Sequence, residues 1–277
     1  MILETLADVT RVRVESAKRK APLDDLKSQI FYKGKVQRYH EREDFAFEEV
    51  LKKEGISFIC EVKKASPSKG IIAPFFPYQE IAVQYEEAGA HAVSVLTEPE
   101  YFKGRDIYLK EISKSVRIPV LRKDFIIDEY QIYESKLIGA DAVLLICALL
   151  DTGTLKRYIG ICDELGLSAL VEAHTKEEIA SAIEAGARVI GVNNRNLRNF
   201  EVDIQNCIKL RELVPKDIIY VAESGIQTRE DISLLEKAGV DAVLIGEALM
   251  KSTDKKAMLS YLKGVRDEPY LRGGRDG

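Results

Sequence analysis

The stretch "KAGVDAVLIGEA", Lys237 to Ala248, closes a helical pattern on a glycine and then enters a short, β-branched run with almost no charge. Three other stretches repeat it: "EAGAHAVSVLTE" (Glu87 to Glu98), "LIGADAVLLICA" (Leu137 to Ala148) and "EAGARVIGVNNR" (Glu184 to Arg195). A glycine just past the last helical residue takes the left-handed C′ position. A strand apolar on both faces belongs to a parallel sheet covered by helices. Four more strand-like runs fit around these: "SFICEVK" (57–63), "IPVLRKDF" (118–125), "LSALVEA" (167–173) and "IIYVAES" (218–224). Apolar positions at three- and four-residue spacing predict helices over about 78–88, 106–115, 128–138, 151–165, 175–185, 203–213, 227–237 and 247–263. Asp106, Asp128, Asp151, Thr175, Asp203 and Thr228 stand where N-caps belong. Eight β–α units predict an α/β fold, a (β/α)8 barrel. An open doubly wound sheet is the rival arrangement, but no GxGxxG follows the first strand to favour it.

The chain has 277 residues, the usual size for one such barrel. Residues before about 56 are surplus to the eight units. The spacing of Ile2, Leu3, Leu6 and Val9, and the Pro-acidic start of "PLDDLKSQIFY", predict two extra helices packed on the barrel. The domain reading is one unit over 1–265, with the extra helices in about 1–50 and a tail, 266–277, predicted to fray.

The formal net charge is −4, from 41 basic and 45 acidic residues, which argues against a general nucleic-acid binder but leaves room for a local basic pocket. The N-terminus is too charged for a signal peptide, and no run of about 18 apolar residues predicts a membrane span. Cys60, Cys147, Cys162 and Cys207 are far apart, without CxxC spacing, and read as reduced, mostly buried thiols of a cytoplasmic protein. A metal site is the weaker alternative: the three histidines include no H-x-x-x-H pair.

Active sites of these barrels sit at the carboxyl ends of the strands. Side chains two apart share a face. Glu61 and Lys63 therefore point one way in "SFICEVK", and Lys64 points the other way or leaves with the loop. Leu121 and Lys123 share a face, as do Leu170 with Glu172 and Gly191 with Asn193; the seventh strand ends in Glu223 and Ser224, the eighth in Ile245 and Gly246. Two lysines and three glutamates converging on one barrel mouth make an acid–base site, because opposite charges and burial push their pKa values apart. Solvated strand ends or structural ion pairs are the alternative reading. "AESGI" and "LIGEAL" each place a glycine at a strand-to-helix turn, the frequent phosphate site of such barrels after strands seven and eight. Two ordinary tight turns would look the same. The long loop "KASPSKGIIAPFFPY" brings Ser66 and Ser68 as candidate phosphate donors, with Phe75 and Phe76 as core contacts or lid plugs. "NNRNL" (193–197) sets polar side chains beside Leu197, suited to a ligand with hydroxyls and a ring or to a plain polar turn.

The pieces "FICEVKKASPSKG", "TEPEYFKG", "PVLRKDFIIDEYQIYES", "ADAVLLI", "LVEAHT", "GVNNRNL", "VAESGI" and "LIGEALM", in this order, resemble the indole-3-glycerol phosphate synthase family of tryptophan biosynthesis. The resemblance implies a carboxy-lyase. It would convert 1-(2-carboxyphenylamino)-1-deoxyribulose 5-phosphate to indole-3-glycerol phosphate, losing carbon dioxide and water without metal or organic cofactor. It implies Lys123 as general acid at the ribulose carbonyl and Glu172 as base or charge stabiliser. Lys63 would pair with the substrate carboxylate, and Glu61 would shuttle a proton in dehydration. Asn193 and Glu223 would orient hydroxyls and lysines, and Arg195 would hold the loop or the carboxylate. Ser66, Ser224, Gly225, Gly246 and the backbone of Glu247 would hold phosphate, with the Glu247 carboxylate turned to solvent. Phe102, Leu121, Phe125, Leu144, Leu197 and Ile245 would line the aromatic slot. Its implied partners are that phosphorylated substrate, no nucleic acid and no membrane, with association with other tryptophan-pathway enzymes left open. The residues alone also admit an isomerase, a Schiff-base aldolase using Lys63 or Lys123, or a silent phosphate-ligand module.

Overall fold

Strands β1 (Ser57–Val62), β2 (Ala92–Leu96), β3 (Val120–Lys123), β4 (Ala142–Ile146), β5 (Ser168–Ala173), β6 (Val189–Asn193), β7 (Ile219–Glu223) and β8 (Ala242–Ile245) run parallel and close into a barrel. The seam is β8 on β1, with Val243 beside Phe58 and Ile245 beside Cys60. The computed structural model describes residues 2–32, 35–36, 42–196 and 200–265. The expected tail and Leu197 lie outside them.

Among the described residues the α-helices are α1 (Ile2–Lys20), α2 (Leu23–Ile30), α3 (Ala46–Leu51), α4 (Tyr78–Glu87), α5 (Asp106–Ser115), α6 (Glu129–Leu137), α7 (Thr152–Glu164), α8 (Lys176–Glu184), α9 (Gln205–Leu210), α10 (Arg229–Lys237), α11 (Glu247–Lys251) and α12 (Lys255–Leu262). Gly89, Gly139, Gly186 and Gly239, the repeat glycines, all have positive φ at the ends of α4, α6, α8 and α10, as the C′ reading requires.

Period-two alternation divides the core. One face of each strand joins an inner core of Ile59, Leu121, Leu144, Leu170 and Val221. The other face meets the helices, with Phe58, Cys60, Val93 and Ile245 in that outer shell. Two predicted helices are interrupted. The 203–213 helix becomes α9 plus a 3-10 turn, Arg211–Leu213, ahead of Pro215, which disfavours helix in the residue before it. The 247–263 helix breaks at Ser252, whose backbone is extended, and restarts where the Asp254 side chain accepts from the Ala257 N–H.

Asp128, Asp151, Thr175 and Thr228 cap helices as expected. Asp203 lies one residue before the N-cap of α9 and accepts from Gln205 N–H. Asp106 does not cap. It lies inside the first turn of α5 and is drawn to Arg122, 2.8 Å away. Arg122 faces outward from β3 and is 1% exposed; Glu134 at 2.8 Å and Asp124 at 3.5 Å complete its shell. A guanidinium so buried survives because carboxylates surround it.

Among the described residues the extension holds three helices rather than two. The third, α3, sends Phe47 and Leu51 into the inner core. Helix α1 lies by the opposite, carboxyl mouth, where Arg13 Nη2 meets Asp124 Oδ1 at 2.7 Å and Lys18 meets Asp128 at 2.7 Å. No helix among the described residues is long and apolar enough to cross a membrane.

Candidate active site

A cavity of about 470 Å³ opens at the carboxyl ends of the strands. Glu61, Lys63, Lys123, Glu172, Asn193 and Glu223 all line it, so every charged residue assigned from strand phase arrives where that phase puts it. Lys64 does not line the cavity; its carbonyl instead accepts from Ile72 and Ala73 N–H groups and shapes the loop.

The charges form two groups. Lys123 Nζ lies 2.9 Å from Glu172 Oε2 and 2.7 Å from Glu223 Oε2. Lys63 donates to Glu61 on the same face of β1. Glu172 and Glu223 are almost fully buried. Burial disfavours the Lys123 ammonium, yet Glu172, Glu223 and Glu61 outweigh it and raise its pKa well above the ordinary lysine value. Burial also favours neutral carboxyls. For Glu172 the attraction of Lys123 and His174 wins and holds it below the usual carboxylate range. For Glu223 burial wins, helped by Glu172, and its pKa rises. Two carboxylates sharing one ammonium are thus pushed in opposite directions, the pattern of acid–base sites.

Two glycines make room for these side chains. In the strand register Gly191 lies beside Glu172, and a Cβ on it would overlap Glu223 Oε1. A Cβ on Gly246 would overlap Glu61 Oε1 and lie 2.9 Å from Lys63 Nζ. Neither glycine has positive φ, so both are required by space.

The β1–α4 loop brings Ser66 and Ser68 to the cavity, and the turns after β7 and β8 bring Ser224, Gly225, Gly246 and Glu247. Ser224 has φ 65° and Gly225 φ 84°. A left-handed serine is strained by about 1–2 kcal/mol, so the surrounding structure enforces this turn. Arg195 also lines the cavity, and its Nη1 donates to Phe200 O at 3.3 Å. The Glu247 carboxylate is not turned to solvent. It bridges Lys251 at 2.6 Å, Lys69 at 3.7 Å and Arg195 at 3.8 Å, tying the β1 and β6 loops to β8. Burial raises the Glu247 pKa, but Lys251, Lys69 and Arg195 outweigh it and lower it, so the anion is satisfied by neighbouring cations.

The apolar wall holds Phe102, Phe125 and Leu144, with the two phenyl rings 6.1 Å apart. One expected wall residue lies elsewhere, and another borders the cavity from the outer-shell face of its strand. Leu121 faces inward but one layer deeper, fully buried beneath Lys123. Ile245 borders the cavity, but its side chain belongs to the outer shell; period two gives the inward place to Leu244. Leu96 and Ile146 also line the wall and were legible from the same phase, two residues beyond Ser94 and Leu144. Leu3 and Leu6 of α1 were not, since only tertiary packing brings that helix to the mouth.

The family model described as indole-3-glycerol phosphate synthase matches residues 3–262. An indole-3-glycerol phosphate synthase of Ruminiclostridium cellulolyticum is 59% identical over 264 residues, covering 95% of this chain and 99% of that protein. One of Endomicrobium trichonymphae is 55% identical over 263 residues, covering 95% and 100%. Among solved structures, 3-hexulose-6-phosphate synthase of Salmonella typhimurium superposes with a TM-score of 0.63 at 16% identity, covering 76% of this chain and 98% of that one, which speaks to the fold alone. Barrel, mouth and near-full-length identity agree: the chain belongs to the indole-3-glycerol phosphate synthase family.

Proposed function

We propose that Lys123, with Glu172 and Glu223, is the acid–base centre through which this chain carries out its family's lyase reaction, forming indole-3-glycerol phosphate. The observation that carries the assignment is the single ammonium shared by two buried carboxylates at the mouth of the barrel. Held charged by those neighbours, Lys123 has a proton to give when the ribulose carbonyl oxygen becomes an alkoxide on ring closure. An alkoxide is a stronger base than an amine, so the transfer runs downhill at that moment. Glu172, kept anionic, stabilises positive charge on the anilinium-like intermediate. Lys63 pairs with the substrate carboxylate, and Glu61 beside it takes and returns a proton in dehydration. Ser66 and the turns at Ser224–Gly225 and Gly246–Glu247 hold the phosphate, and Asn193 and Arg195 orient the ligand. Phe102, Phe125 and Leu144 take the aromatic ring.

We also take the extension and barrel as one folding unit, because Leu3, Leu6 and Arg13 of α1 contact the mouth. A cytoplasmic setting is supported by four unpaired cysteines, three of them buried. Indole fluorescence on adding the carboxyphenylamino substrate tests the reaction. Lys123→Ala should lower kcat by about 10²–10⁴ with the fold intact; a loss below about tenfold would remove Lys123 as the acid.

A further inference from the structure

His174 follows the last residue of β5, and its side chain is 16% exposed. Its ring lies between two carboxylates: Nε2 is 3.6 Å from Glu172 Oε1, and Nδ1 is 3.4 Å from Glu178 Oε2. Nε2 is sealed from solvent without a hydrogen-bond partner. Glu172 Oε1 is also the oxygen that Lys123 leaves free, since Lys123 takes Oε2. A neutral imidazole has one N–H and one lone pair, so it would turn a lone pair toward one of the carboxylates. Only the doubly protonated ring offers a donor to each.

We propose that His174 is a positioning residue, an imidazolium that clamps Glu172 from behind and links the charge of the acid–base centre to pH. The clamp rests on the role given to Glu172 above. Glu178 anchors its far side: Oε2 accepts from the His174 backbone N–H at 2.6 Å, and the Glu178 N–H donates to the cap Thr175 at 3.2 Å, fixing the carboxylate at the start of α8. The charged groups acting on the ring are Glu172 on β5, Glu178 on α8 and Glu223 on β7; Cys147 after β4 lies by the same carboxylates, its Sγ 3.5 Å from the Glu178 carbonyl, and Asn206 on α9 donates to the His174 carbonyl at 3.4 Å. Burial disfavours the imidazolium, but Glu178, Glu172 and Glu223 outweigh it and raise the His174 pKa. Cys147, pushed up to about 12 chiefly by burial, stays neutral. Glu172 is thereby an anion held by two cations, one on each oxygen: Lys123 from the cavity, His174 from the strand end. As His174 loses its proton, the rear cation disappears and Glu172 is held from the cavity side alone, by Lys123 and the Asn193 side chain, so its rear oxygen is no longer fixed.

Two measurements test this. In the full-length protein labelled with ¹³C-histidine, the His174 resonance, identified by its loss in His174→Gln, should titrate above the ordinary imidazole value of about 6.5. In Glu172→Gln it should fall by at least about half a pH unit. In turnover, His174→Ala should lower kcat about tenfold, with KM within about threefold. His174→Gln, which keeps one neutral donor, should recover most of kcat but lack the alkaline limb that wild type is expected to show in its kcat–pH profile above about pH 6.5. An unshifted His174 titration in Glu172→Gln would overturn the clamp even if the enzyme is fully active. Identical pH profiles for wild type and His174→Gln would overturn the pH linkage. If no indole product forms at all, the reaction assignment fails, while the titration still reports on the clamp.

Discussion

Gly191→Ala isolates geometry from chemistry, because it alters no polar group in the site. A methyl on Gly191 would overlap Glu223 Oε1 and lie 3.3 Å from Glu223 Cδ and 3.1 Å from Leu170 Cδ1. Leu170 is packed in the inner core and cannot retreat. The Glu223 carboxylate must therefore withdraw by about 1 Å to regain van der Waals separation. Its contact to Lys123 is 2.7 Å, so a shift of that size takes the pair out of hydrogen-bond range. Misplacement of about 1 Å in a catalytic array costs about 10²-fold in rate. The backbone has no objection, since β6 is regular at Gly191 and alanine carries less unfolded-state entropy. The expected result is kcat down by about 10²-fold in a variant that still folds, with a lowered thermal midpoint from the overpacked site, read by indole fluorescence and by circular dichroism melting. Activity within about threefold of wild type in a folded variant would refute the idea that Gly191 exists to seat Glu223.

Glu223 should also set a pH limb. Its pKa is raised to about 7, chiefly by burial, so kcat/KM should climb as pH rises through that value, and Glu223→Gln should remove the climb. The sign for stability is opposite. A carboxyl whose folded pKa exceeds its unfolded value contributes stability below the unfolded pKa and loses it as pH rises through the folded one. Urea melts of Glu223→Gln should accordingly lose less stability than wild type between about pH 5 and pH 8. Single alanine substitutions separate the adjacent lysines: Lys63→Ala should raise KM and lower kcat, while Lys64→Ala should leave kcat within about threefold, and the reverse order would refute the facing of β1. Arg122→Leu touches no cavity residue except Asp124, yet should lower stability by about 3–5 kcal/mol in urea denaturation, because Asp124 and Glu134 lose a buried partner.

Strand phase carried far into the site because it is a local rule. Once β1, β3, β5, β6 and β7 are strands of a parallel barrel, period two alone turns Glu61, Lys63, Lys123, Glu172, Asn193 and Glu223 to one mouth. Depth and curvature are not local. Leu121 shares the inward face with Lys123, but one residue pair lower on a closed barrel is solid core rather than wall. Ile245 ends β8 on the outward phase, and Leu244 holds the inward place instead.

The motifs and their order in the sequence alone established a (β/α)8 barrel, its family resemblance and the ionisable residues at its mouth. These depend on backbone periodicity and glycine conformations that each segment carries by itself. Only the tertiary structure decided that α1 lines the cavity through Leu3 and Leu6, that Glu247 bridges Lys69 and Arg195, and that His174 stands between Glu172 and Glu178. Each of these joins residues from different β–α units, or from the extension to the barrel, and such contacts exist only once barrel closure has set the distances.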